Sequence, residues 1–394
     1  MKTIKQLTDM DLKNKRVLLR VDFDTPVDKK TGEIIDDSRI KISIPTINYI
    51  LSKNPKQLIL MWKLGRPKDN EFYLKTNKGA SYLSKLIDEK VVKVDGWGEK
   101  ELPDNKIIAL ENVRFHPDEK TNDHNKFEHR SKHLATLGDV FVNDAFAMAH
   151  RAECSTTGIM KYLPSCIGLN LKKEVDIIEK ITKNPKKPLV AIIGGAKSDK
   201  IEVIDELLEL VDHLIIGGVM ANTFLKSKGV NIGQSKFDKE SLGKAKQFLH
   251  DYGDKIELPI DYVCGEKFDE STKAIVIEQD DDINNLMIMD IGPKTIDKYI
   301  DILNKSNTVI WGGPIGVFEF PQFQNGTKQI AQTLANLDIV KVIGGGDSGE
   351  AIHELKLENK MTHVSSGGGA FLELLSGNKL PVIEELSKNS KRFK

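Results

Sequence analysis

The sequence predicts an α/β protein with two domains, each built on a parallel sheet. At 394 residues the chain exceeds the length over which one hydrophobic core keeps growing. Short apolar runs alternate with amphipathic stretches along the chain, a pattern typical of parallel strands joined by crossover helices. Glycine-rich segments directly follow several apolar runs, at the strand ends where parallel sheets bind ligands.

The apolar runs predict buried strands in both halves of the chain. In the first half these strands are residues 16–21, 57–61, 107–110 and 140–143. In the second half they are residues 189–193, 213–216, 274–277, 308–311 and 341–343. Amphipathic stretches predict helices between them, for example at residues 81–89, 201–210 and 240–252.

Composition argues against several classes of protein. Lys+Arg and Asp+Glu are 58 each, so the chain lacks the basic excess of a nucleic-acid or membrane-surface protein. No apolar run approaches the roughly 20 residues of a membrane helix, and the N-terminus lacks the apolar core of a signal peptide. The cysteines show no C-x-x-C spacing, so we expect a reducing, cytoplasmic location; they are Cys154, Cys166 and Cys264.

Basic residues follow the predicted strands of the first half. Because parallel strands end at one edge of a sheet, these cations would converge there and form a cradle for phosphate and carboxylate oxygens. The alternative is that they are ordinary solvated surface charges. The residues concerned are Lys63, Arg66, Arg114 and Arg151, with Arg39 after an acidic turn.

Asp22 lies at the end of the first predicted strand. A carboxylate there can accept a hydrogen bond from a ligand hydroxyl, or it can cap a turn or helix. The residues alone leave both roles open.

Five glycine-rich segments follow strands in the second half, at residues 192–201, 215–224, 310–319, 342–351 and 363–374. Glycines allow the backbone to approach a nucleotide base or polyphosphate closely. Lys197 and Lys200 would open a helix whose amides suit a phosphate. Neither a P-loop nor a complete G-x-G-x-x-G fingerprint is present, so ligand-free tight turns are the alternative. Asp347 could contact magnesium, cap a helix, or do both.

Eleven collinear segments resemble the phosphoglycerate kinase family nearly from end to end. In order they are RVDFDTPV, IDDSRI, LGRP, LENVRFH, VNDAFAMAHR, IIGGAK, MANTFL, DIGPKT, GGPIGVFE, GGGDS and HVSSGGGAFLELL. The resemblance implies two Rossmann-like lobes, with parallel sheets flanked by helices and a helical hinge between them. It predicts a phosphoglycerate-binding domain at 1–170, to which 378–394 returns, and a nucleotide-binding domain at 186–377. The hinge is expected at 171–185, where a predicted helix precedes a proline-containing segment.

The family transfers a phosphoryl group reversibly between 1,3-bisphosphoglycerate and ADP, giving 3-phosphoglycerate and ATP, with Mg²⁺. The resemblance therefore implies small-molecule substrates, a hinge-bending glycolytic kinase and a monomer. Asp22 and Asp24 would face the glycerate hydroxyl and carboxylate. The implied 3-phosphate ligands are Lys63, Arg66, Arg114 and Arg151.

Other residues would act on the transferring group or the nucleotide. Arg39 and Lys197, from opposite lobes, would stabilise the transferring phosphoryl group when the cleft closes, with Gly367 and Gly368 presenting a helix N-terminus to it. Asp347 would also contact the metal. The implied nucleotide ligands are Gly195, Lys197, Lys200, Gly217, Gly218, Gly313, Pro314, Glu319, Gly346, Asp347 and Ser348.

Four positions depart from the usual family pattern. Lys63 stands where His is usual, and Asp24 where Asn is usual. The segment around Lys197 and Lys200 is one residue shorter, and Gly312 replaces an Asn. An active enzyme is favoured because the other cations are retained. The competing hypothesis is a catalytically weak protein that binds phosphoglycerate and nucleotide without turnover.

The Asp24 carboxylate would lie beside the substrate carboxylate and repel it unless a cation offsets its charge. From the sequence we therefore expect Asp24→Asn to hold or improve the affinity for 3-phosphoglycerate, as titration calorimetry would measure. A large loss would mean that Asp24 has become a ligand contact or a structural partner.

Overall fold

The computed structural model describes residues 3–196 and 201–393. These residues belong to two compact units. Unit 1 is Met1–Asp176 together with Lys379–Lys394, and unit 2 is Ile177–Asn378.

Unit 1 contains a six-stranded sheet in the order β3-β4-β2-β1-β5-β6, and every neighbouring pair is parallel. The strands are almost continuously apolar, as expected when helices cover both faces of a sheet. The strands are β1 (Arg16–Arg20), β2 (Gln57–Met61), β3 (Val91–Lys93), β4 (Ile107–Ala109), β5 (Val140–Asn143) and β6 (Ser165–Ile167). The helices that precede the boundary are α1 (Ser38–Ser52), α2 (Asn77–Ile87) and α3 (His124–Ala135), and the next helix, α4 (Leu169–Lys183), contains it.

Helix α4 begins in unit 1, and the boundary between the units falls within it. Its first amides are bound by buried side chains: the Asp144 carboxylate accepts from Asn170 N at 2.8 Å, and the Thr46 hydroxyl accepts from Leu169 N at 3.2 Å. Burial raises the pKa of Asp144 to about 7. A Cβ on Gly168 would lie 2.2 Å from an Asp144 oxygen, so this approach requires glycine.

Unit 2 contains a second six-stranded parallel sheet, in the order β15-β14-β13-β7-β8-β9. Its strands are β7 (Leu189–Ile193), β8 (His213–Ile216), β9 (Ile256–Glu257), β13 (Thr308–Gly312), β14 (Val340–Ile343) and β15 (His363–Val364). Its helices are α5 (Ile201–Leu210), α6 (Gly218–Ser227), α7 (Leu242–Tyr252), α8 (Pro293–Leu303), α9 (Asn325–Asn336), α10 (Asp347–Glu354) and α11 (Gly368–Leu375). The predicted α/β class with parallel sheets is confirmed.

One predicted strand exists, but its predicted burial was wrong. The run at 274–277 was expected to be a buried strand, but the structure places β11 (Ile275–Glu278) in a separate antiparallel sheet. It pairs with β10 (Asp261–Gly265), which pairs on its other side with β12 (Met287–Ile291), in the order β11-β10-β12. Because β11 is an edge strand, Val276 remains 55% exposed. An apolar run shows strand propensity but does not show which sheet the strand joins.

The last helix, α12 (Pro381–Arg392), belongs to unit 1. Pro381 occupies its first turn, where a missing amide has no cost. Asn389 fixes the helix to β6: its carbonyl oxygen accepts from Ser165 N at 2.9 Å, and its amide donates to Leu163 O at 2.7 Å.

Nowhere in residues 3–196 and 201–393 is a helix both long and apolar enough to span a bilayer.

Buried Asp261 caps helix α8 and supplies a stability prediction. Its carboxylate accepts from Lys294 N at 2.9 Å and from Thr295 N at 2.8 Å. Asp261→Ala would leave these donors buried without a partner, so we expect the free energy of unfolding to fall by about 2–4 kcal/mol in urea titrations. Asp269→Ala is the control, since Asp269 caps an exposed turn by accepting from Ser271 N at 2.9 Å. Equal losses in both variants would contradict the capping role.

Candidate functional site

In unit 1, the predicted anion-binding residues follow strands that lie side by side. Strands β4, β2, β1 and β5 are neighbours and parallel, so their carboxyl ends share one edge of the sheet. Most of the predicted residues lie in the segments that follow these ends, and Arg39 is the second residue of α1. Those that follow strands are Asp22, Asp24, Lys63, Arg66, Arg114 and Arg151.

The pairing of β1 with β2 brings Asp24 next to Lys63. Arg20 lies opposite Met61 in the sheet, and beyond that pair the rings of Phe23 and Trp62 pack with centroids 5.2 Å apart. The residues that follow these two rings, Asp24 and Lys63, form an ion pair. Sequence reasoning noted both as departures but did not link them, because they lie far apart along the chain.

Asp22 pairs with Arg39 across 3.3 Å. Asp22 is nearly fully buried, whereas the Arg39 side chain is 25% exposed. The other Asp22 oxygen, Oδ1, is buried and has no hydrogen-bond partner among the residues that the structure describes. The structure thus joins two predicted site residues and leaves Arg39 accessible to a ligand.

Arg114 forms a buried ion pair with Glu153, with 3.0 Å between Nη2 and Oε1. Neighbouring Arg20 is fully buried and donates through Nε to the Ser155 hydroxyl at 3.1 Å. That hydroxyl donates to Glu119 at 2.6 Å. Burial raises the pKa of Glu119 to about 7, and the nearby Glu153 charge adds to the rise. Sequence reasoning missed this network, although an arginine inside the apolar strand β1 was a signal.

Arg66 and Arg151 are exposed, unlike the other cations of this edge. Arg151 Nε donates to the His150 ring at 3.1 Å. The structure therefore places these two guanidinium groups at the surface and Lys63 and Arg114 beneath it. Burial lowers the pKa of Lys63 to about 7, with Asp22 opposing that shift.

In unit 2, glycine-rich turns approach each other so closely that side chains would not fit. Gly218 begins α6 with φ +59°, and a Cβ there would lie 2.5 Å from Gly195 O. A Cβ on Gly194 would lie 2.1 Å from Pro314 O. Backbone hydrogen bonds join the same turns, including Gly195 N to Pro314 O at 2.6 Å. Three predicted nucleotide residues therefore meet in one wall: Gly195, Gly218 and Pro314.

This wall borders a cavity of about 320 Å³. Apolar side chains line most of it, and Glu319 and Asp347 add carboxylates. Such a shape suits a flat, largely apolar ligand with a polar tail. Sequence reasoning missed the part of the apolar lining that comes from β12 and from a loop without a motif, namely Phe268, Met287, Ile288 and Met289. Leu225 of α6, in the quoted segment MANTFL, completes this lining.

A second cavity, of about 130 Å³, is lined mostly by glycines. The predicted residues that border it are Gly195, Gly313, Gly346, Asp347 and Gly368, and Gly368 begins α11. Asp347 lines both cavities. Gly312, which replaces an Asn, also lines the second cavity, and a Cβ there would meet only the ends of two apolar side chains, Leu372 at 3.3 Å and Ile193 at 3.8 Å.

The remaining predicted nucleotide residues have varied positions. Gly217 caps α6, and Gly367 caps α11. The Ser348 hydroxyl is buried and donates to Gly344 O at 2.7 Å. Lys197 and Lys200 lie outside the described residues, so their predicted roles and the effect of the shortened segment stay predictions.

The parallel sheets, with cavities beside glycine-rich strand ends, define an α/β protein of the class that binds ligands at the carboxyl ends of its strands. The phosphoglycerate kinase family model matches residues 7–378. A Francisella philomiragia phosphoglycerate kinase is 42% identical over 98% of both chains, and one from Finegoldia magna is 43% identical over 96% of this chain and 98% of its own. The chain belongs to the phosphoglycerate kinase family.

Solved structures give the same result. The phosphoglycerate kinase of Coxiella burnetii matches with a TM-score of 0.85 at 37% identity, covering 98% of this chain and 100% of its own. That of Pyrococcus horikoshii has the same TM-score at 31% identity, with 98% and 99% covered. The family and fold implied by the sequence segments are therefore confirmed.

The close contact between Gly218 and Gly195 can be tested by substitution. Gly218→Ala should displace the wall of the larger cavity and weaken ATP binding, measured by calorimetry, more than about tenfold. Gly229→Ala is a matched control, because Gly229 also has positive φ (+85°) but a Cβ there would meet nothing within 4 Å. Both variants share the backbone strain of about 1–2 kcal/mol. Unchanged ATP affinity in a folded Gly218→Ala protein would argue against this wall as the nucleotide site.

Proposed function

We propose that the protein transfers a phosphoryl group reversibly between 1,3-bisphosphoglycerate and ADP, giving 3-phosphoglycerate and ATP, with Mg²⁺. The observation that carries the proposal is the cluster of cations at the carboxyl edge of the unit 1 sheet, in a chain of this family. Acidic phosphate esters need several directed cations, and guanidinium and ammonium groups meet that need.

In unit 1, Lys63, Arg66, Arg114 and Arg151 bind the 3-phosphate, while Asp22 accepts from the glycerate hydroxyl. The ion pair with Glu153 fixes one edge of the Arg114 guanidinium. A guanidinium has five N–H groups, so others can reach a phosphate. Arg39 keeps a partly exposed charge for the transferring group.

In unit 2, the larger cavity holds the adenine base and the glycine-lined one holds phosphates. The apolar lining of the larger cavity suits a base, and Glu319 is an exposed carboxylate that can accept from ribose hydroxyls. Glycine turns leave backbone amides free of side-chain cover, which suits phosphate oxygens. The start of α11 at Gly367 and Gly368 provides such amides for the transferring group.

The metal is proposed to bind at Asp347. The described residues contain no group of three or more His, Cys, Asp or Glu that could hold an ion by themselves. Magnesium bound to a nucleotide usually takes one or two carboxylates together with phosphate oxygens and water, so a single exposed Asp347 between two cavities fits it. When bound, the ion would neutralise phosphate charge.

Phosphoryl transfer depends mainly on positioning and on charge neutralisation in the transition state. Arg39 therefore contributes most when charge develops on the transferring group, with Lys197 assigned the same role by the family resemblance. We further propose a cytoplasmic, monomeric enzyme without a nucleic-acid partner, consistent with balanced charge.

The test is a coupled assay with purified protein, ATP, 3-phosphoglycerate and Mg²⁺, with and without a chelator. Turnover that needs both substrates and the metal is expected. Binding of 3-phosphoglycerate without turnover would instead identify the catalytically weak binding protein. Activity only on another carboxylic acid would show that 3-phosphoglycerate is not the substrate.

Arg39 provides the sharpest mutational prediction. Arg39→Ala should lower kcat about 10²–10³-fold, because its charge is needed chiefly in the transition state. Lys41→Ala on the same helix removes an exposed cation, paired with Asp37 at 2.8 Å, and should change kcat little. An Arg39→Ala protein with altered KM but normal kcat would refute the transition-state role.

A further inference from the structure

The ion pair between Asp24 and Lys63 fixes the segment that follows β2. Asp24 Oδ2 accepts from the Lys63 ammonium, and Asp24 Oδ1 accepts from Gly65 N at 2.7 Å. The Lys63 side chain is 10% exposed and the Asp24 side chain 26%. One carboxylate therefore holds both a buried cation and the backbone two residues beyond it.

Lys63 lies where an ammonium group is hard to keep charged. Burial lowers its pKa to about 7. The surrounding charges act in both directions: two carboxylates favour the charged form and two guanidinium groups oppose it, namely Asp22, Glu153, Arg114 and Arg20. Asp24 is the carboxylate in direct contact with the ammonium group, and it favours the charged form because the Coulomb energy increases as the distance falls.

We propose that Asp24 is a positioning residue that keeps Lys63 charged and directs its ammonium group into the anion site. An ammonium group has three donors, so after one contact with Asp24 two remain for phosphate oxygens. This inference rests on the proposed function, since it takes 3-phosphoglycerate as the anion. It assigns Asp24 to Lys63 rather than to the substrate.

The inference reverses the expectation drawn from the sequence for Asp24→Asn. The sequence alone did not identify a cation that offsets the Asp24 charge, whereas the structure provides Lys63 as its counter-charge. An asparagine can still accept from Gly65 N through its carbonyl oxygen, but its NH₂ group would face the Lys63 ammonium. The substitution thus removes the ion pair while it preserves the backbone contact.

The experiment is a double-mutant cycle with Asp24→Asn, Lys63→Gln and the double variant, in which calorimetry measures the Kd of 3-phosphoglycerate at pH 7. Each single variant should weaken binding about fivefold, the loss expected for part of a charge-assisted hydrogen bond. The double variant should bind no more weakly than Lys63→Gln, because Asp24 acts through Lys63. Additive losses would overturn the proposal.

Asp139→Asn is the matched control. Asp139, also in unit 1, accepts from Arg16 N at 2.8 Å and pairs with the Arg16 guanidinium at 3.1 Å, at the start of β1 rather than its end. Asp139→Asn therefore removes the same charge and an ion pair of the same kind, but at a position away from the site. If Asp139→Asn weakens 3-phosphoglycerate binding as much as Asp24→Asn does, the effect is general and the proposal is wrong.

The pH profile separates positioning from a merely structural role. Lys63 loses its charge as pH rises through its pKa, so wild-type affinity should fall above about pH 7. In Asp24→Asn that fall should move to lower pH by about one unit, a change of about 1.4 kcal/mol in the balance between charged and neutral Lys63. The ionisation of the ligand phosphate affects both proteins equally.

The two proteins should converge near pH 5.5, where Lys63 is charged in both. A difference in 3-phosphoglycerate affinity between the two proteins that stays constant with pH would overturn the positioning role. Unchanged binding by Asp24→Asn would do the same. Wild-type turnover in the coupled assay is measured in parallel. Absence of wild-type turnover counts against the proposed function, whereas turnover with an additive cycle counts against the Asp24 inference alone.

Discussion

The carboxyl ends of parallel strands determine where both candidate sites lie. In a parallel sheet every strand ends at the same edge, so residues far apart in sequence become neighbours without direct local attraction. In unit 1 this edge gathers cations after β2, β4 and β5 beside the carboxylates after β1. In unit 2 the same geometry gathers glycine turns. The two sheets share an architecture, but the residues at their edges suit different ligands.

At the carboxyl edge of the unit 1 sheet, three cations are each paired with a carboxylate. Asp22 pairs with Arg39, Asp24 with Lys63 and Glu153 with Arg114. A buried cation without a partner would tend to lose its proton or leave the interior, so these carboxylates hold cations at the edge before any ligand arrives. Such pairing explains how a chain of zero formal net charge can bind an anion.

Much of the fold could be predicted from the sequence, because buried parallel strands are continuous apolar runs that local reading detects. The strand β11 was found but assigned to the wrong environment, because an apolar run does not show that its strand forms the edge of a separate antiparallel sheet. The cations of unit 1 were found because they follow strands. Their carboxylate partners, such as Glu153, were not, because no local pattern links Arg114 to a residue after β5. The part of the apolar lining that β12 contributes to the larger cavity was missed because Met287–Met289 belong to no motif.

The most direct measurement is a crystal structure of the protein with 3-phosphoglycerate, ADP and Mg²⁺ bound. The account predicts the phosphate of 3-phosphoglycerate within hydrogen-bonding distance of Lys63 and Arg114, and the adenine base in the cavity lined by Gly218 and Met287. It also predicts that Lys63 keeps its contact with Asp24. Phosphoglycerate bound away from the carboxyl edge of the unit 1 sheet, or a base outside that cavity, would contradict it.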